Sequence, residues 1–146
     1  AEVNNPAMNQ AATIKIGADG AFVMEKTQFF YTTFGIMVGI NVLLLLGSYA
    51  VPYLPPAVLL VPKKEIWLAS KESRSKFYER FKLWVKGLGA IMNVFLLSSV
   101  LVVYYMNSTD YFPMSWIFYI LGVFTIFWLI LYFPIFSQGA DNMDDL

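Results

Sequence analysis

Three long stretches without a single charged residue constrain this chain more than any other feature. They run over residues 29–51, 87–106 and 114–137. At 1.5 Å rise per residue each makes a helix of roughly 30–35 Å, enough to cross a hydrocarbon layer of ~30 Å. Lipid offers backbone groups no hydrogen bonds, so such a segment has to be helical. The expected fold is therefore an all-α integral membrane protein with three transmembrane helices. Composition agrees, at 58% hydrophobic and 14% charged residues, against about 45–50% and about 25% in soluble domains. A soluble domain of 146 residues has too little interior to hide that much apolar surface.

The flanks refine the picture. Tyr31, Tyr49, Tyr53, Trp84, Tyr104, Tyr105, Tyr111 and Trp116 lie near the span ends, where amphipathic rings favour the headgroup level. Pro52, Pro55 and Pro56 end the first helix, each lacking a backbone donor. Residues 52–86 then form a Pro-rich stretch and a basic loop. Eight of the ten cations lie between Lys63 and Lys86, against three carboxylates, whereas the loop 107–113 between the later spans has no cation. The positive-inside rule places the basic loop in the cytoplasm, the segment 1–28 outside and the acidic tail 138–146 inside. An outside N-terminus beginning at Ala1 leads to the expectation of an export signal or helix upstream.

Within the loop, Ser70 or Ser73 can cap a helix, and Phe77, Phe81, Trp84 and Leu88 share one face of it. That predicts an amphipathic cytoplasmic helix running into the second span. Trp67, Phe77, Arg80, Phe81 and Trp84 are expected at the lipid interface, rings in the acyl boundary and cations toward anionic headgroups. Residues 12–16 and 21–24 flank the turn Ala18-Asp19-Gly20 and predict a hairpin.

Chemistry is scarce. The chain has neither Cys nor His, which removes disulfides, Cys/His zinc sites, His-ligated haem and the usual Cys–His or Ser–His nucleophile pairs. The spans hold no ionisable residue, the usual mark of a proton relay or substrate path. Zero net charge gives no footprint for nucleic acid. No cofactor, metal or small-molecule substrate is expected, and the seven scattered Met residues read as gap-fillers. Asn41 and Asn93 are the notable polar residues of the spans, and an interhelical hydrogen bond is their expected role. Gly35 and Gly39 form a GxxxG, and Gly87, Gly89 and Ala90 open the second span; such small residues permit close backbone approach, here expected inside the bundle before a partner. Asn107-Ser108-Thr109 fits the glycosylation acceptor pattern.

One stretch carries a family resemblance. Pro62, Lys64-Glu65, Trp67-Leu68-Ala69, Glu72, Arg74 and Gly89 are similar to a segment of a bacterial membrane-protein family of unknown function. Its N-terminal module also occurs at the head of SdpI-type immunity and signalling proteins. Gly17, Gly20, Lys26 and Phe29-Phe30 match its outer segment, while Lys63 and Ile66 depart from its usual Asn and aromatic residue. The resemblance implies a bacterial cytoplasmic-membrane protein with no catalytic activity.

Two functions follow as expectations. One is a non-catalytic subunit whose partners are the bilayer and other integral membrane subunits of an energy-transducing or secretion complex. The other is a stand-alone SdpI-like immunity or signalling protein. Orientation is testable directly: a reporter fused near Arg74 should behave as cytoplasmic and one near Asp110 as external, and the reverse pattern would overturn the assignment.

Overall fold

A computed structural model describes residues 13–16, 22–107 and 115–144. The turn at residues 18–20, Ser108, Thr109, Tyr111 and the end of the acidic tail lie outside them. Two strands, β1 (Thr13–Ile16) and β2 (Phe22–Glu25), precede the helices α1 (Lys26–Ala50), α2 (Lys64–Leu68), α3 (Lys71–Met106), α4 (Ser115–Ile130) and α5 (Tyr132–Asp144). Three helical stretches are long and apolar enough to cross a membrane: residues 26–53, 71–106 and 116–143. The strands pair antiparallel, Thr13 opposite Glu25 and Ile16 opposite Phe22, so the fold is not purely α.

Helix α1 begins three residues before the expected span, at Lys26, and Pro52 converts its end into a 3-10 turn over Val51–Tyr53. A second such turn, Pro56–Val58, leads to Lys63, whose backbone is left-handed at φ 55°. That reversal aims the Lys63 carbonyl at the amides of Ile66 and Trp67, at 3.0 and 3.4 Å, and opens α2. Short as it is, α2 delivers Trp67 to the interior. Arg74 reaches back to hold its end, both Nε and Nη2 lying 3.1 Å from the Leu68 carbonyl.

Ser70 starts α3 with a capping box: its Oγ accepts from the Ser73 amide at 3.1 Å, and Ser73 Oγ accepts from the Ser70 amide at 3.0 Å. Glu72, in this exposed first turn ahead of the span, has its carboxyl lowered from the usual 4.5 by the Lys76 hydrogen bond and then by the Lys76 charge. From Lys71 the helix runs 36 residues unbroken, about 54 Å. There is no boundary at residue 86: the basic segment and the second span are one rod, because no Pro interrupts it.

The third span departs furthest from expectation. It is two helices, with the interruption at Leu131. Pro134 has no N–H for the Ile130 carbonyl and its ring crowds that turn. The ladder otherwise continues, Leu131 N donating to Phe127 O at 2.9 Å and Ile135 N to Leu131 O at 3.1 Å. Helix α5 then extends to Asp144, so the expected acidic tail is helical over residues 138–144. Phe136 and Ala140, one turn apart, are buried there, and burial of that face holds the tail in helix.

α1 and α4 both pack on α3, which lies between them, and make few contacts with each other. The hairpin sits at one end of this row. Asn107, at the end of α3, completes it: Lys15 N donates to Asn107 Oδ1 at 2.8 Å and Asn107 Nδ2 donates to Lys15 O at 2.9 Å. The nitrogen a glycan would require also donates to Val103 O at 2.8 Å.

Close approach of α4 to α3 depends on Gly87. A Cβ there would sit 2.2 Å from Trp128 Cζ2. Gly87→Ala should therefore destabilise the chain by about 1–3 kcal/mol through overpacking, read from thermal unfolding in detergent, with Trp128→Leu relieving much of the loss. Gly35→Ala and Gly39→Ala meet nothing within 4 Å and should be neutral or stabilising, by up to about 1 kcal/mol each from helix propensity.

Candidate functional site

Two built sites and one bare face account for the residues that the sequence singles out. The first site is the crossing of α1 and α3. Asn41 Nδ2 donates to Met37 O at 2.8 Å and to Asn93 Oδ1 at 2.7 Å, and Asn93 Nδ2 donates back to Asn41 Oδ1 at 3.1 Å. The amides thus close a reciprocal pair between the helices. Gly89, one turn from Asn93, brings the backbones near: its Cβ would stand 3.5 Å from Leu44 Cδ1 and 3.9 Å from Asn41 Oδ1. Neutral amides satisfying one another hold helices together and carry no proton. Alongside them runs a cleft of about 370 Å³, whose lining includes Ser48, Tyr49, Lys82 and Lys86.

The second is an aromatic nest at the basic end of the row. Trp67, Phe77 and Phe136 are almost wholly enclosed, with Val51, Leu59 and Ala140 around them. Ring centroids are 5.8 Å apart for Trp67–Phe77, 6.0 Å for Trp67–Phe136 and 5.6 Å for Phe77–Phe136, the offset and edge geometry aromatic rings favour. Trp67 Nε1 donates to the Phe136 carbonyl at 3.1 Å, so the buried indole leaves no orphan donor. Gly139 makes room: a Cβ would fall 2.7 Å from Arg80 Nη1 and 3.1 Å from Trp67 Cη2. Arg80 lies over the Trp67 ring, 5.9 Å from its centroid. Lys63 and Asp141 form an ion pair across the nest.

This corrects the interfacial reading of Trp67 and Phe77. At 0% and 1% exposure they face the interior, not lipid. Phe81 and Trp84 also pack against the nest, and of that set only Arg80 is exposed. The physical reason is α5, whose rings lie against the stripe: Phe136 is 5.6 Å from Phe77 and Tyr132 5.0 Å from Trp84 between ring centroids.

Gly35 and Gly39 are the bare face. Among the described residues a Cβ at either would meet nothing within 4 Å, so the expected close packing of this GxxxG inside the bundle is not seen there. Asn41, Asn93 and Gly89 come together; Gly35 and Gly39 remain apart from them.

Three contacts escape sequence reasoning. Trp84 and Trp128 exchange indole donors, Nε1 of each facing the other's carbonyl at 3.4 and 3.3 Å. Tyr132 OH donates to Leu60 O at 2.9 Å, pinning the Pro-rich stretch to the start of α5. Gly139 admits Arg80 and Trp67. The only signals were a Gly and aromatic residues at helical spacing, which do not say which helix they meet. Among the described residues no group of three His, Cys, Asp or Glu could hold a metal.

The amide pair makes a sharp prediction. Asn41→Leu or Asn93→Leu alone strands the other amide and should cost about 1–2 kcal/mol. The double variant should recover part of that, with a coupling of about 0.6–2 kcal/mol in detergent unfolding. Strictly additive losses would show that the pair contributes nothing. No family model, curated protein or solved structure matches the chain.

Proposed function

We propose that the chain is a non-catalytic subunit that packs against and stabilises a larger membrane complex of the energy-transducing or secretion type. The observation that carries this reading is the uncovered surface of the outer helices. In the most apolar window of the third span, none of the residues is buried by the rest of the chain, and in the first span 11% are. Phe30, Phe34, Leu43, Leu46, Tyr119 and Val123 all stand exposed. On α1 the bare Gly35 and Gly39 offer a flat strip for close approach by another helix. The nest and the amide pair support the same role, since they fix the chain's own shape while leaving α1 and α4 free to dock.

In this reading the protein lies in a bacterial inner membrane, with the hairpin outside and the basic end, including α5, inside. The cation surplus of residues 63–86 supports that orientation. A second reading, the stand-alone SdpI-like immunity or signalling protein, draws on one feature. A cavity of about 600 Å³ at the hairpin end is lined mainly by apolar side chains such as Ile14, Phe29, Phe34 and Val100, and an apolar peptide would suit it.

Mild-detergent purification followed by native electrophoresis and mass spectrometry separates the two. A subunit migrates in a stoichiometric assembly, and Gly35→Leu with Gly39→Leu should reduce its recovery severalfold while the isolated chain keeps its helicity. Migration as a lone small protein, with every membrane complex intact in its absence, would remove the subunit reading.

A further inference from the structure

The cleft between α1 and α3 differs from the other apolar surfaces in having charge at one end and amides at the other. Its walls include Leu44, Leu45 and Val85, with Lys82 and Lys86 one turn apart on α3. Neither ammonium has a carboxylate partner among the described residues, and no acidic side chain lines the cleft. Lys82 Nζ rests over the Tyr49 ring, 4.8 Å from its centroid, which holds it at the mouth. The far end is the Asn41–Asn93 pair, whose oxygens both already accept hydrogen bonds.

Depth selects the occupant. From Lys82 to Asn93 the helix rises about 16 Å, half of a ~30 Å hydrocarbon layer. The volume of about 370 Å³ falls at the small end of the roughly 300–1,000 Å³ of ligand pockets. We propose that this cleft binds one anionic phospholipid from the leaflet on the basic side, its phosphate between Lys82 and Lys86 and an acyl chain lying along Leu44, Leu45 and Val85 toward the amide pair. Two unpaired cations select a negative headgroup, and a groove one leaflet deep suits an acyl chain. The site is a property of the single chain and does not rest on the subunit reading.

The test uses the full chain, stripped of lipid in detergent and offered equal amounts of phosphatidylglycerol and phosphatidylcholine, with adducts counted by native mass spectrometry. One phosphatidylglycerol per chain is expected, preferred on the order of 30-fold, which corresponds to about 1 kcal/mol for each ammonium near an anionic surface. Lys82→Gln with Lys86→Gln should bring the two lipids to parity. Lys71→Gln with Lys76→Gln, the same charge loss away from the cleft, should leave the preference in place. Ala90→Trp, which fills the groove from its wall, should lower occupancy with both lysines present, and excess glycerol 3-phosphate should displace nothing.

The proposal is overturned by a preference that survives Lys82→Gln/Lys86→Gln, or by one lost equally in the Lys71/Lys76 control. Displacement by glycerol 3-phosphate, or a dimer of the chain in place of the lipid adduct, would overturn it as well.

Discussion

Every backbone N–H and C=O inside a bilayer has to find a partner in the protein, and an unpaired one costs several kcal/mol. That constraint makes the three long segments helical and leaves the prolines to decide where helices stop. Pro52 ends α1, and Pro55 and Pro56 keep the following stretch from resuming it. Pro134 only interrupts: the 5-residue α2 and the Tyr132 hydroxyl brace the chain around it, Trp67 donating to the Phe136 carbonyl and Tyr132 to that of Leu60. Helix α5 follows at the basic end, where Phe136 and Ala140 close the aromatic nest.

Two kinds of cohesion follow, matched to two solvents. Near the basic end, burial of large rings is favourable wherever water is the alternative. Trp67, Phe77 and Phe136 accordingly form a small conventional core there. In the middle of the row the hydrophobic driving force vanishes, since lipid is as apolar as leucine. There the helices are held by what lipid cannot supply: the Asn41–Asn93 amide exchange and the close fit at Gly89 against Leu44. At the hairpin end Asn107 bridges to Lys15.

Much of this was legible in the residues. Uncharged runs give the spans, Ser70 with Ser73 gives the start of α3, and two lone amides in apolar helices point to each other. What stayed hidden shares one cause: it depends on which helix faces which. Phe77, Phe81, Trp84 and Leu88 describe an apolar face equally well whether lipid or α5 covers it. The tail around Asp141 reads as solvated acid until Phe136 and Ala140 are seen to share its buried side. A GxxxG has the same spacing whether it meets a neighbour or open space, so Gly35 and Gly39 could be assigned to the bundle interior on sequence grounds and still lie outside it.

The geometry of α1 keeps its two exposed features from competing. At 100° per residue, Gly35 and Gly39 lie roughly opposite Asn41, Leu44 and Ser48 around the helix. The side that meets α3 carries the amide pair and the charged cleft; the other carries the glycine strip. A helix docking on Gly35 and Gly39 would therefore leave the cleft between α1 and α3 open, and a lipid seated over Lys82 and Lys86 would leave the strip bare. Occupation of the cleft would fill the gap beside the crossing and neutralise the two cations closest to it. The consequence is directional: lipid in the cleft fixes α1 against α3 and so presents the strip in one orientation, which lowers the ordering cost of any helix that docks there.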